Sequence, residues 1–256
     1  MAIYSKSVRA LMKEDMTAAL APAAGAVFSK QQAIDWFAKN YPKIKTGTVT
    51  AHLIRLSVNA PSRAHYSAKP GEDDVFFQVD GSHFRLYQAG QDPLPIYTGR
   101  GQTEPAKSTE DADDDEDIAQ GSGQFAYETD LRNYLAKNLS LLELGLRLYE
   151  DEGITGIEFP VGGRFIDILA LDSKGALVVI ELKVSRGYDR VVGQLMRYIA
   201  WIRKNQADPT QQVRGIIVAR EISEDLFLAC SLLPDVKLYE YQLSLTLKQV
   251  QREPRA

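Results

Sequence analysis

The sequence predicts an α/β protein in two parts, and three observations carry that expectation. Residues 124–256 alternate apolar, strand-like runs with helical periodicity, residues 1–98 show three helical patterns followed by two short strand-like runs, and residues 99–123 contain almost nothing that could build a core. The 256 residues are 45% hydrophobic and 25% charged, enough for one large domain or two small ones. No run of about 18 apolar residues exists, which argues against a membrane span. The N-terminus lacks the charged-then-apolar pattern of a signal peptide, so the chain reads as cytoplasmic. The single cysteine, Cys230, excludes an internal disulfide and a cysteine-built zinc site, and three histidines (His52, His65, His83) argue against histidine-rich metal chemistry.

Charge is unevenly spread. The net charge is −4, yet residues 1–100 carry 12 Lys/Arg against 8 Asp/Glu, residues 101–123 carry 1 against 8, and residues 124–256 carry 17 against 18. The acidity is concentrated in the run 110–117. Residues 99–123 therefore read as a disordered linker that self-repels and extends; the alternative is a mimic of DNA that competes for a basic neighbouring surface.

Residues 1–98 open with a helical pattern over 4–20. Ser29 can cap a second helix burying Ala33, Ile34, Trp36 and Phe37, which Pro42 stops. Thr46 or Thr48 opens a third through Val49, Leu53, Ile54 and Leu56. Strand-like runs over 75–79 and 84–88 follow, joined by Asp80, Gly81 and Ser82. Three helices and then a ribbon is the order of a winged helix-turn-helix, whose third helix enters the major groove of double-stranded DNA. On that reading Thr48, Thr50, His52 and Arg55 lie on or near the recognition helix, while Arg63, Tyr66 and Arg85 reach phosphates. The competing expectation is a small α+β packing or dimerisation domain.

In residues 124–256 the pattern predicts a helix over 127–142, strands over 165–171 and 176–184, and a helix over 189–204. A strand over 214–219, a helix over 223–232 and a strand over 236–241 complete the set. The stretch 162–183 carries the chemistry: Asp167 interrupts one apolar strand, and Glu181 and Lys183 end the next. Burying an unpaired charge costs several kcal/mol or more, so three charges in two core strands need partners or a metal. The turn Ser173–Lys174–Gly175 suits a three-residue hairpin loop with Gly175 left-handed. That loop sets Asp172 opposite Ala176 and Asp167 opposite Glu181, with Lys183 on the same face. Two hard carboxylates with few other donors suit Mg²⁺, or Mn²⁺ as its substitute.

This pattern resembles the PD-(D/E)XK nuclease superfamily, with Asp167 and Glu181–Leu182–Lys183 as the motif and Ile166 where the signature has proline. The stretches YETDLRNYLAKNLSLLELGLRLY, GRFIDILALD, VVIELK and VGQLMRYIAWI are similar to the catalytic domain of NucS-type (EndoMS) endonucleases, over about half the chain. The resemblance implies a restriction-endonuclease-like α/β domain with a central mixed sheet over 124–256. It also implies that Gln194 and Tyr198, four residues apart on one helical face, join Asp167, Glu181 and Lys183 in catalysis. A further metal-ligating acid from the first helix is expected at Glu128, with Glu143 as the alternative. Arg164, Arg186 and Arg190 are candidates for backbone phosphates. The front half departs from the β-rich N-terminal domain of that family, so mismatch specificity does not carry over. The expectation is a Mg²⁺-dependent endodeoxyribonuclease in repair or restriction and defence, with a homodimer supplying two sites for two strands. The alternatives are a DNA-binding regulator with an inactive nuclease fold and an RNA-processing nuclease.

Overall fold

The computed structural model describes residues 4–97, 121–183 and 189–242, and of 121–127 and 189 the backbone alone. Most of the expected acidic linker and Arg186 lie outside these residues.

In the N-terminal half Ser7 caps α1 (Val8–Leu11), which runs through a π turn, Met12–Met16, into α2 (Thr17–Leu20). A short strand not anticipated from the sequence, β1 (Val27–Ser29), precedes α3 (Lys30–Asn40). Ser29 and Gln32 start α3 with a reciprocal capping box, each side chain accepting the other's backbone N–H. Then come α4 (Thr46–Leu56), a 3₁₀ turn at Pro61–His65, β2 (Phe76–Gln78) and β3 (His83–Leu86). The strands form an antiparallel sheet in the order β1-β3-β2. Its inner face brings Phe28 within 5.3 Å of Phe76 and 5.8 Å of Phe84 between ring centroids, over a core shared with Leu11, Met16, Phe37, Val49 and Leu53.

The C-terminal half starts with α5 (Gly121–Lys137), so the last three residues assigned to the linker are helical. Four short strands missed by periodicity follow: β4 (Arg147–Leu148), β5 (Glu150–Asp151), β6 (Ile154–Thr155) and β7 (Ile157–Val161). Then come β8 (Arg164–Leu171), β9 (Leu177–Lys183), α6 (Asp189–Asn205), β10 (Val213–Ala219), α7 (Glu224–Ser231) and β11 (Val236–Glu240). These form a central mixed sheet in the order β11-β10-β9-β8-β4, with β7 on β8. The β9–β10 and β10–β11 pairs are parallel and those to β8 antiparallel. One sheet face packs Ile168, Ala170, Val178, Ile180 and Ile216 against Leu131 and Leu135 of α5. The other packs Val179, Val213 and Ile217 against Val191, Leu195 and Ile202 of α6.

Helix α4 overturns the expected DNA-reading surface. Residues 47–56 are all buried, because α4 is packed on two sides. Val49 and Leu53 belong to the N-terminal core, whereas Ala51 and Ile54, with Ala60 and Tyr66, belong to the core under α6. The polar positions fill the seam between the halves. Thr48 Oγ1 donates to Asp151 Oδ2 at 3.3 Å and accepts from Gln206 Nε2 at 3.3 Å. Thr50 Oγ1 turns back onto the Thr46 carbonyl at 3.0 Å. His52 is fully buried, and that burial lowers its imidazole pKa to about 3, so it is neutral at pH 7. Arg55 donates to the Glu152 carbonyl, to the Ser67 carbonyl at 2.8 Å and to Asp73 at 3.3 Å. Arg63 bonds the Arg55 carbonyl at 2.8 Å and Asp74 at 2.5 Å, and the buried Tyr66 hydroxyl donates to the Glu158 carbonyl at 3.2 Å. Arg85 is held by Asp92 and lies over Phe77, 4.4 Å from the ring centroid. None of the first six side chains is presented to a groove, and Arg85 has its charge matched within its own ribbon. Among the described residues no helix is long and apolar enough to cross a membrane.

Candidate active site

The β8–β9 hairpin sets the site. Gly175 is left-handed at φ +82°, and the Asp172 N–H donates to the Ala176 carbonyl at 3.0 Å. The Asp172 carboxylate clamps the loop by accepting the Lys174 and Ala176 N–H groups, each at 2.9 Å. From there the strands pair as Leu171↔Leu177 through Ile168↔Ile180, where regular pairing ends, and Asp167 and Glu181 are the next residue on each strand. The Leu182 N–H donates to Asp167 Oδ2 at 2.9 Å, so that carboxylate reaches across to β9 beside Glu181. Asp167 is 8% exposed and Glu181 1%.

Glu181 shares the sheet face of Val179, which meets α6. There Gln194 Nε2 donates to Glu181 Oε2 at 3.1 Å and to the hydroxyl of the buried Tyr198 at 3.1 Å. Lys183 ends β9, half-buried and two residues beyond Glu181. Because β8 and β9 are antiparallel, Arg164 at the start of β8 lies at the same end of the sheet as Lys183. Arg190 is exposed on the first turn of α6. Glu128 is half-buried on α5, one turn before Arg132. Glu143, the alternative to it, is committed elsewhere: Arg214 binds it at 2.9 and 2.7 Å and Lys237 at 3.2 Å. These cations hold the Glu143 carboxyl below its usual range against the opposing effect of burial.

A second acid in an apolar strand was overlooked from the sequence. Glu158 stands between Ile157 and Phe159 in β7, the same signal that singled out Asp167. Its carboxylate pairs with Arg132 at 2.8 Å, accepts from Ser62 Oγ at 2.7 Å and lies 3.5 Å from His65 Nε2. Among the described residues no group of three or more His, Cys, Asp or Glu side chains gathers as a metal-binding cluster. The donor set at the hairpin is the pair Asp167 and Glu181.

Residues 127–243 match the family model described as the endonuclease NucS C-terminal domain, and residues 7–86 match a domain of unknown function, DUF7669. The endonuclease NucS of Methanopyrus kandleri is 30% identical over 100 residues, covering 39% of this chain and 35% of that protein, so this chain spans about a third of that relative's length. The endonuclease NucS of Arthrobacter sp. is 42% identical over 96 residues, 37% of each chain. Among solved structures, a repair endonuclease from Pyrococcus abyssi gives a TM-score of 0.38 at 23% identity, covering 45% of this chain and 46% of that one. The relation to the endonuclease NucS of Micrococcus luteus is longer: 34% identity over 193 residues, 66% of this chain and 79% of that protein. With that extent of identity, the chain belongs to the NucS endonuclease family.

Proposed function

We propose that the protein is a divalent-metal-dependent endonuclease that hydrolyses phosphodiester bonds of double-stranded DNA, with Asp167, Glu181, Lys183, Gln194 and Tyr198 as its catalytic set. The observation that supports this most is the placement of Asp167 and Glu181 across one hairpin, with Gln194 bonded to Glu181. Two carboxylates fit Mg²⁺ or Mn²⁺, because Mg²⁺ keeps several waters and takes one or two carboxylates plus substrate phosphate oxygens. Bound there, such an ion would polarise the scissile phosphate and lower the pKa of its water.

The protein's own groups have separable roles. Asp167, fixed by the Leu182 N–H, and Glu181, fixed by the Gln194 amide, present oxygen ligands whose orientation is set before metal arrives. The Gln194 amide is in turn bonded to Tyr198, which packs into the core and holds the amide in place. Lys183 supplies a positive charge toward the phosphate as negative charge develops on its oxygens. Arg164 and Arg190 contact flanking phosphates from the rim of the site, and Glu128 is the additional acid from α5. Double-strand cutting requires two such sites, which a homodimer would supply.

The test is incubation of the purified protein with supercoiled plasmid, end-labelled duplexes, single strands and RNA in Mg²⁺, Mn²⁺, Ca²⁺ or chelator. Nicked or linear DNA in Mg²⁺ or Mn²⁺ but not in chelator is the expected result. Activity that persists in chelator, or that is confined to RNA, overturns the proposal.

A further inference from the structure

We infer that Glu158 is a positioning residue through which the N-terminal half sets the metal-binding geometry of Asp167. This rests on the nuclease reading above and goes beyond it, because it gives the N-terminal half a part in the chemistry.

Among the described residues two that are not glycine have positive φ, Glu152 at 46° and Glu158 at 48°. The first is explained by its place. Glu152 and the left-handed Gly153 are the two residues joining β5 to β6, and a tight hairpin of the type I′ kind needs positive φ at both. Glu158 lies inside β7, where nothing local asks for that conformation, which is strained for an L-residue.

What Glu158 does to the sheet is visible in the pairing. Ile157 pairs with Ile168 and Phe159 with Ile166, so Glu158 falls across from Asp167. Residues two apart on a strand share a face. Here they do not: Ile157 and Ile168 pack into the core under α5, whereas Phe159 and Ile166 pack into the core under α6. Both strands turn over at one position, and that position is Glu158 with Asp167. The irregularity re-aims Asp167, as bulged positions beside active sites do, and its carboxylate reaches the Leu182 N–H.

The surroundings hold Glu158 in this state from two elements, α5 and the 3₁₀ turn with its capping Tyr66. Arg132 of α5, 4% exposed, pairs with Oε1. Ser62 and His65, on the 3₁₀ turn of the N-terminal half, meet Oε2, and the Tyr66 hydroxyl donates to the carbonyl. The turn is fixed in place again by the Thr155 hydroxyl, which donates to the His65 carbonyl at 3.0 Å. Both the side chain and the peptide of Glu158 are therefore gripped by the N-terminal half. Arg132 lies one turn from Glu128, so the same knot orients the helix carrying the proposed additional acid.

The experiment uses the full chain with Glu158→Gly, Glu158→Gln and the double variant Ser62→Ala/His65→Ala. Glycine accepts positive φ without strain but lacks the carboxylate, which separates the grip from the conformation. Calorimetric Mn²⁺ titration and steady-state cleavage in Mg²⁺ are the readouts, with thermal melting as the control on folding. The expected result is Mn²⁺ affinity weakened about 10–100-fold in both Glu158 variants, with kcat reduced comparably and KM for DNA moved less than about two-fold. The double variant, which leaves every residue of the C-terminal half in place, moves Mn²⁺ affinity and kcat in the same direction. A wild type that binds Mn²⁺ and cuts DNA, beside variants that match it in both while melting lower, shows a purely structural tie and overturns the inference. Failure of the wild type to bind Mn²⁺ or cut overturns instead the nuclease reading on which it rests.

Discussion

Helices α4 and α6 look alike as sequences and have opposite fates. Each carries polar residues among apolar ones, and each was expected to deliver them to a ligand. On α6 the polar pair Gln194 and Tyr198 meets Glu181 at the end of β9. On α4 Thr48, Thr50, His52 and Arg55 are consumed by the protein itself, because the helix has a core on either side. The difference teaches that what a polar stripe does depends on what its face meets: on α6 it gathers at a strand acid, on α4 it closes a seam. Periodicity reports that a second face exists and is silent about what covers it.

The comparison can be broken most sharply at the strand that α6 serves. Glu181→Ala or Lys183→Ala should lower cleavage about 10²–10³-fold, the scale on which removing a transition-state-stabilising group acts. DNA affinity should stay within a few-fold, because binding rests mainly on phosphate contacts elsewhere. Gel-shift and plasmid-nicking assays on the same samples check this, and near-normal cutting would remove the hairpin from the chemistry.

Arg55→Ala is the counterpart on α4. It removes the bonds to the Glu152 and Ser67 carbonyls while Asp73 keeps Arg9 and the Lys69 N–H, so a loss of about 1–3 kcal/mol in denaturant unfolding is expected. Rate per folded molecule should survive, and a large drop in rate without a drop in stability would restore α4 to the functional surface. Gln194→Ala should do the reverse: cleavage falls about 10–100-fold while the denaturant midpoint barely moves.

The smallest effect expected is at His52. Its folded pKa, about 3, lies below the unfolded value near 6.5. Protons are therefore bound by the unfolded chain first, and stability is full above about pH 6.5 and lost as pH falls toward 3. Neither ring nitrogen has a hydrogen-bond partner among the described residues. His52→Leu should flatten the acid limb of the stability profile with little change at pH 8, measured by urea unfolding across that range. An unaltered acid limb would show that other groups set it.

Most of the C-terminal fold was legible because its long strands are apolar throughout and its charges stand out against them. The elements from β8 to β11 fall within one or two residues of their expected bounds. The hairpin register followed from three loop residues, since a side-chain period of two leaves little freedom once Gly175 is placed. Strands β4 to β6 have two residues each, too short for any alternation to register. β7 escaped because Pro160 interrupts it, a residue tolerated only where a strand has a free edge, and Glu158 was overlooked with it. β1 has three residues. The seam was not legible because Ala51 and Ile54 look the same whether they meet their own domain or another.

Gly47 on α4 has a consequence for how such proteins can change over time. A methyl group there would come within 2.2 Å of the Gln206 side chain, and one on Gly153 within 2.5 Å of Arg55. Each half thus carries the imprint of the other in residues that neither needs alone. A recombination event that replaced the front half with an unrelated module would leave Gln206 and Tyr149 without Thr48, and the apolar patch under Ile54 bare. In this chain a change at the seam, such as a larger side chain at position 47, is therefore expected to be tolerated only with a matching change on the other half, such as a smaller one at position 206.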